Sequence, residues 1–339
     1  MSQNVLVTGG AGFIGSHVVK HCQDMNFNVV VLDDLSGGFE DHIPDGATFI
    51  KGSITDAALV EQLFNEYKFT YVYHLAAYAA EGLSHFIRNF NYNNNLIGSI
   101  NLINQSVIHK VKCFVFTSSI AVYGKGQLPM VESMTPVPED PYGVSKYAVE
   151  LDLRAAHEMF GLNYVVFRPH NVYGENQNIG DKYRNVIGIF MNQIMQGKKL
   201  TIFGDGTQTR AFSYIDDVAI PIAKSVSIPA AYNQVFNIGA DKPYTVNELA
   251  TVVCNEFGVA PDINYLSARN EVMHAYSDHT KAHSVFGDPT GIDLKEGIAR
   301  MAAWAKRVGA RQSQEFGNIE ITEKLPDGWQ VIAKKQATA

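Results

Sequence analysis

The sequence predicts an α/β fold: a doubly wound parallel sheet followed by a smaller C-terminal lobe. Three observations carry that prediction. Short β-rich runs alternate with helical stretches through the first half of the chain. Those runs are mainly apolar, as in a parallel sheet covered by helices on both faces. Between the first strand and the first helix stands a glycine turn, Thr-Gly-Gly-Ala-Gly-Phe-Ile-Gly at 8–15.

In chain order, the expected strands are 5–8, 28–33, 48–51, 71–75, 113–118 and 163–168. Helices are expected over 14–25, 56–67, 93–109 and 142–160, the third opened by the Asn-rich run 89–95. After Arg168 the alternation fails. Residues 174–181 read as a loop, later short elements suggest a second lobe, and the run 234–238 is expected to return to the main sheet. The organisation is therefore a nucleotide-binding domain over 1–170 with that returning strand, a lobe over 171–312 that mainly binds substrate, and a polar tail over 313–339. The tail either docks on the body or stays loose.

Composition narrows the class. The 339 residues, 46% hydrophobic, suffice for one large core or a core plus a lobe. A net charge of −7 with no basic stripe argues against nucleic acid as partner. Cys22, Cys113 and Cys254 are odd in number, far apart and without metal spacing, so buried thiols in a reducing compartment are expected and no metal site. A strand-like run begins at Asn4, where a signal peptide would stand, and no apolar run approaches the ~20 residues that span a bilayer. The expectation is a cytoplasmic protein that does not enter a membrane.

Gly10, Gly12 and Gly15 fit G-x-G-x-x-G, and Gly9, Gly12 and Gly15 fit G-x-x-G-x-x-G. Such glycines permit a tight turn, close approach of backbone to a pyrophosphate, and close helix–strand packing. The following helix N-terminus offers free N–H groups and a positive dipole end. The bare motif fits many tight turns, but Asp33 ends the second strand 18 residues past Gly15. A carboxylate there suits two ribose hydroxyls and repels a 2′-phosphate, and no Arg or Lys lies in 33–41. This is the Rossmann dinucleotide pattern, with NAD favoured over NADP.

Tyr142 and Lys146 stand at i and i+4, on one helix face. Such pairs are common on solvated faces; the glycine turn and the serines Ser118 and Ser119 at a strand end change their meaning. A phenol of pKa about 10 is a poor base near neutrality. A nearby ammonium and an oxidised nicotinamide ring would both favour phenolate. Ser119 would then hydrogen-bond a substrate hydroxyl, and Ser119, Tyr142 and Lys146 form the expected catalytic set.

With these residues in place, the chain resembles the extended short-chain dehydrogenases, in particular the NAD-dependent sugar epimerase/dehydratase group. The motifs that carry the resemblance are 8–15, Leu-Asp-Asp-Leu-Ser at 32–36, His-Leu-Ala-Ala at 74–77, Phe-Thr-Ser-Ser-Ile-Ala-Val-Tyr-Gly at 116–124, Tyr142-x-x-x-Lys146, Arg-Pro-His-Asn-Val-Tyr-Gly at 168–174 and Phe-Gly-Asp-Gly-Thr-Gln-Thr-Arg at 203–210. The resemblance implies a nucleotide-diphosphate sugar, a UDP-hexose above all, bound between the lobes. It implies that Gly9, Gly12, Phe13, Ile14 and Gly15 hold the cofactor phosphates, and that Asp33, Asp34, Ser36, Ser53 and Ile54 hold its adenosine. It further implies that Leu75, Ala76, Ala77, Asn95, Thr117 and His170, with Tyr142 and Lys146, line the rest of the NAD site. Substrate contacts carried over are Ser118, Ser119, Tyr142, Asn171, Asn185, Phe203, Arg210 and Arg269, the two arginines as clamps on the diphosphate. A homodimer is implied through the helices at 93–109 and 142–160, where Leu96, Ile100, Ile103, Ala148 and Leu151 could serve either the interface or the core.

Departures from the family pattern surround the sugar pocket. Ser53 stands where Asp is frequent, His170 where an aromatic flanks the nicotinamide, Ala79 where a longer polar side chain faces the sugar, and Ala211 where Asp follows the arginine. The segment 78–91, with Glu81, His85 and Arg88, is atypical, and the last two suggest a uronate as one alternative. The serine run lacks the carboxylates a 4,6-dehydratase needs, and Ala121 stands where a decarboxylase carries Glu. The expected reaction is NAD-dependent epimerisation at C4 through a 4-keto sugar, with UDP-glucose and UDP-galactose as the expected pair. A reductase and a non-catalytic NAD-binding regulator are the rival classes.

Overall fold

The computed structural model describes residues 3–126, 128–181, 184–268, 273–312, 316–317 and 319–326. Its centre is a seven-stranded, all-parallel sheet. The strands are β1 (Asn4–Thr8), β2 (Asn28–Asp33), β3 (Thr48–Lys51), β4 (Tyr71–His74), β5 (Cys113–Thr117), β6 (Tyr164–Pro169) and β7 (Gln234–Ile238). Their order across the sheet is β7-β6-β5-β4-β1-β2-β3. The order reverses between β1 and β4, the switch point at which such sheets bind ligands beyond the strand carboxyl ends. The expected strands thus form, within a residue or two at their ends, and the 234–238 run does rejoin the sheet, beside β6.

Helices cover both faces. One core packs β1, β2, β5 and β6 under α1 (Phe13–Asp24), the helix Asp216–Lys224 and the C-terminal helix Leu294–Val308, with Trp304 buried there. A second core packs Leu6, Leu32, Phe114 and Val166 under α2 (Ala57–Tyr67), α3 (Gly98–Ile108) and α4 (Pro141–Phe160). The strands contribute apolar side chains to both, which is why β5 is buried at every position. Cys22, Cys113 and Cys254 are free and buried.

Local chemistry sets the helix ends. Asp56 caps α2 and Asp140 caps α4, each side chain accepting from a first-turn amide. Helical geometry before α3 begins at Arg88 and passes through a π-helical turn, Asn93–Ile97, earlier than the pattern at 93 predicts. Of the residues open to two roles, Ile103 is core, Leu96 and Ile100 pack on the second core half-buried, and Leu151 is 37% exposed. Among the described residues no helix is long and apolar enough to cross a membrane.

The remaining small strands build the second lobe. Thr209–Ala211 lies between Pro243–Thr245 and His274–Ala275, and Leu200–Phe203 pairs with Ile263–Leu266. Ser213–Tyr214 pairs with Val172–Tyr173, tying the lobe to the residues that follow β6.

Candidate active site

The dinucleotide cradle is built from backbone. At the end of β1 the chain turns on Gly9 with φ +72°, and a Cβ there would lie 2.7 Å from Ala76 N. A Cβ on Gly15 would run into the Gly9 carbonyl, 2.7 Å from its carbon. Both contacts hold α1 hard against the turn. Gly12 caps α1 without a side-chain bond, and no acidic residue occupies the first turn, where Phe13 and Ile14 stand. The N–H groups there are left for an anion.

Asp33 Oδ2 accepts from Ala11 N at 3.0 Å and its Oδ1 from Leu35 N at 2.8 Å. Burial pushes its carboxyl up from the usual range, opposed by those two amides. Asp33 therefore braces the glycine turn, while exposed Asp34, which accepts from Ser36 N at 2.8 Å, faces open space. Asp34, Ser53, Thr55, Phe90, Asn93, Asn94 and Ile97 line a cleft of about 450 Å³. Ile54 sits buried beneath, against Gly98, where a Cβ would approach its Cδ1 to 2.7 Å.

Beyond β4, Leu75 N donates to Thr8 O at 3.1 Å and Ala76 N to Thr8 Oγ1 at 3.3 Å, so Leu75, Ala76 and Ala77 run beside the turn. Asn95 accepts from Tyr78 N at 2.8 Å and donates to Tyr78 O at 3.1 Å, clamping the segment that follows. These features fit NAD. The turn admits only glycine at Gly9 and Gly15, the adjacent helix end is open, and two carboxylates end β2. The buried Thr117 Oγ1 has no hydrogen-bond partner among the described residues.

The proton-handling set is assembled from two elements. Ser119 caps the short 3₁₀ turn Ile120–Tyr123, accepting from Ala121 N at 3.1 Å. Tyr142, 7% exposed, stands in the first turn of α4. Lys146, 2% exposed, follows one turn later; its Nζ donates to Thr117 O at 2.7 Å and lies 5.8 Å from the centre of the Tyr142 ring. Burial pushes the Tyr142 phenol above its usual 10, with Ser119 the largest opposing influence and the Arg184 charge a smaller one. Burial likewise lowers Lys146 from 10.5 to about 7, while Glu150 raises it. Desolvation thus opposes the phenolate that an adjacent ammonium and an oxidised nicotinamide ring favour, because the pocket that gathers these groups strips water from both.

The two serines part company. Ser118 is 2% exposed and donates to Glu150 Oε1 at 2.5 Å, so its hydroxyl is committed away from Tyr142 and its expected substrate contact is not supported by this geometry. Glu150 in turn holds Arg168 through Nε at 3.0 Å and Nη2 at 2.5 Å. Residue patterning missed Glu150, although it continues the i, i+4 row of Tyr142 and Lys146 and that spacing could have found it. Also missed was Arg184, paired with Asp181, its guanidinium 5.1 Å from the Tyr78 ring centre.

His170, expected beside the nicotinamide, is 3% exposed, with Nδ1 3.0 Å from Ala211 O and Nε2 3.0 Å from His279 Nε2. Both ring nitrogens are thereby engaged with the second lobe, and burial lowers its pKa to about 3. Asn171, with φ +40°, donates to Ala211 O at 3.2 Å. Arg210 Nη1 donates to Thr209 O at 2.8 Å on its own strand and to Met273 O at 3.0 Å, just before the neighbouring strand. Asn185 caps the helix Val186–Met195 in the left-handed region, and Phe203 ends its strand with its carbonyl accepting from Gln208. Arg269 lies outside the described residues. Asp217 lies in the first turn of the helix Asp216–Lys224, and its carboxylate accepts from Thr290 N at 2.6 Å.

The fold and this site define an NAD-dependent enzyme of the short-chain dehydrogenase type. Residues 5–239 match the NAD dependent epimerase/dehydratase family. The chain is 37% identical over 307 residues to a putative UDP-glucose 4-epimerase of Methanocaldococcus jannaschii, covering 89% of this chain and 98% of that protein. It is similar to the crystal structure of UDP-glucose 4-epimerase from Thermotoga maritima with UDP-glucose, at TM-score 0.86 and 34% identity over 90% of this chain and 99% of that one. It is also similar to UDP-glucuronic acid 4-epimerase from Bacillus cereus in complex with UDP-glucuronic acid and NAD, at TM-score 0.82 and 27% identity over 90% and 100%. The chain belongs to the NAD dependent epimerase/dehydratase family, and NAD is its cofactor.

Proposed function

We propose that this chain is an NAD-dependent epimerase of nucleotide-diphosphate sugars that inverts C4 of a UDP-hexose, with UDP-glucose and UDP-galactose as its pair. The observation that carries the reading is half-buried Ser119 together with buried Tyr142 and Lys146, at a serine loop with no carboxylate. Elimination needs a further acid and base at that loop; inversion through a ketone needs only a reversible proton acceptor and hydride acceptor.

NAD, when bound, supplies the reversible hydride acceptance and a positively charged ring. The chain's own groups do the rest. Ser119 orients the C4 hydroxyl, and Tyr142 takes its proton as the carbinol becomes a ketone. Tyr142 returns the proton to the oxygen when the carbon is reduced from its other face. Proton and hydride both return to the sugar, so no net redox change accrues. Lys146, held by Thr117 O, keeps a dissociable proton near neutrality beside the phenol. Asn171, Asn185, Phe203 and Arg210, on the second-lobe side, are assigned to the sugar nucleotide, and so is Arg269. The cationic pair that pointed to a uronate, His85 and Arg88, is exposed, with Arg88 over the Tyr92 ring at 6.0 Å, and does not favour that alternative.

The test is turnover on UDP-, dTDP- and GDP-hexoses, UDP-N-acetylhexosamines and UDP-uronates, with products resolved chromatographically. Interconversion of UDP-glucose and UDP-galactose without consumption of added NAD is expected. Net NADH formation, or preference for a uronate, would overturn the assignment. Tyr142→Phe should abolish turnover and retain NAD, measured by release of nucleotide on denaturation; near-wild-type rates would remove Tyr142 from the mechanism.

A further inference from the structure

The described part of the C-terminal tail docks on the segment after β4. Phe316 meets Tyr78 and Phe90 with ring centroids 5.1 and 5.0 Å apart, and Ile319 and Leu325 complete a small apolar cluster separate from the two main cores. Glu320 Oε2 accepts from Asn89 N at 2.7 Å and its Oε1 from Phe90 N at 2.8 Å. In return, Glu320 N and Ile321 N both donate to Phe86 O, at 2.9 and 3.2 Å.

Asn89 and Phe90 open the helical run that starts at Arg88, whose N-cap residue Ile87 supplies no side-chain bond. A carboxylate on those amides satisfies two open donors and meets the positive end of the helix. The same run then forms one wall of the cleft faced by Asp34 and Ser53: Phe90, Asn93, Asn94 and Ile97. Tyr78, the other aromatic under Phe316, is the residue whose N–H and C=O are clamped by Asn95 within that wall. The tail thus grips the cleft wall from behind, both at its first turn and through the segment that joins it to the sheet.

We propose that the C-terminal segment is a clasp on the cofactor, in which Glu320 and Phe316 are positioning residues that hold the Phe90–Ile97 wall in place over the adenosine of NAD. The proposal rests on reading that cleft as the adenosine site. An epimerase regains its cofactor in every cycle, so slow loss of NAD serves it better than exchange. A wall ordered in advance lowers the ordering cost of binding and slows release.

The experiment uses the full-length protein with Glu320→Ala, Glu320→Gln and Phe316→Ala, and with Ser53→Trp as a probe of the cleft itself. Retained NAD is quantified after timed desalting, and kcat is measured with and without saturating NAD. Glu320→Ala should release NAD about tenfold faster, because two charge-assisted hydrogen bonds are lost. Glu320→Gln, which keeps an acceptor oxygen, should fall between it and wild type, and saturating NAD should restore kcat in all three tail variants. Unchanged retention in both Glu320→Ala and Phe316→Ala, while Ser53→Trp weakens NAD binding, overturns the clasp and leaves the adenosine site standing. A kcat that stays low at saturating NAD also overturns it, since the tail would then shape the sugar site. If Ser53→Trp leaves NAD binding unchanged, the reading of the cleft fails first.

Discussion

Lys146→Met should stabilise the NAD-free protein and abolish its turnover. Lys146 is 2% exposed, and burial lowers its pKa from 10.5 to about 7. Below pH 7 both folded and unfolded chains carry the proton, and the folded state bears the whole cost of burying it. Between 7 and 10.5 the unfolded chain binds the proton and the folded one does not, so stability rises with pH; above 10.5 the cost is gone. At about 1.4 kcal/mol for each tenfold in the proton equilibrium, the gap is worth about 5 kcal/mol at pH 6. Methionine removes that cost and forfeits the bond from Nζ to Thr117 O, worth about 2 kcal/mol. The net gain is about 3 kcal/mol at pH 6, roughly 4 °C in Tm for a chain of this length. By pH 9 the wild-type cost falls to about 2 kcal/mol, so the two proteins should melt together. Thermal melts of both at pH 6, 7.5 and 9 give the comparison, with UDP-galactose turnover measured alongside. A Tm difference that does not change with pH, or a variant that still turns over, refutes the reasoning. Such an outcome would mean that Lys146 is not held buried beside a functional phenol.

Two further substitutions probe the frame around the site. Gly15→Ala places a Cβ 2.7 Å from the Gly9 carbonyl carbon and 2.9 Å from Gly10 Cα, so α1 and the turn must separate. NAD binding by calorimetry should weaken by at least about tenfold, with the fold kept by circular dichroism. Glu150→Gln removes the charge paired with buried Arg168, at a cost of about 3–5 kcal/mol in denaturant unfolding, and takes away the group that raises the Lys146 pKa. The acidic limb of its pH–rate profile should therefore shift to lower pH if deprotonation of Lys146 governs it; a limb that moves upward would contradict the assigned sign.

Much of the sheet and the nucleotide turn was legible before any coordinate. Runs such as Val5–Val7 and Val29–Leu32 are rich in β-branched residues and apolar on both faces, and a buried parallel strand imposes just that. The pair Tyr142 and Lys146 follows from the helical repeat alone. The functions of Ser118 and Ser119 were not separable by spacing, because neighbours in an extended segment point to opposite sides. One side holds Glu150 and Arg168, contributed from 32 and 50 residues further along. The direction of the Tyr142 shift was also out of reach, since it depends on how much water the folded pocket excludes. His170 looked like an aromatic substitute beside the cofactor; its pairing with His279, 109 residues away, could not be read locally. The tail gave no periodic signal at all; its docking shows only in the folded contacts of Phe316 with Tyr78 and Phe90 and of Glu320 with the amides of Asn89 and Phe90.

The amino-acid order by itself determined the alternation of strands and helices, the turn that only glycine can make, and the presence of a phenol and an amine one helical turn apart. All of these are local, repeating constraints on backbone and periodicity. The tertiary structure alone decided which serine Glu150 takes up, which way burial moves the Tyr142 and Lys146 protons, and what the last described residues hold. Desolvation and hydrogen-bond partnership are properties of groups brought together from distant parts of the chain, and they exist only once the chain has folded.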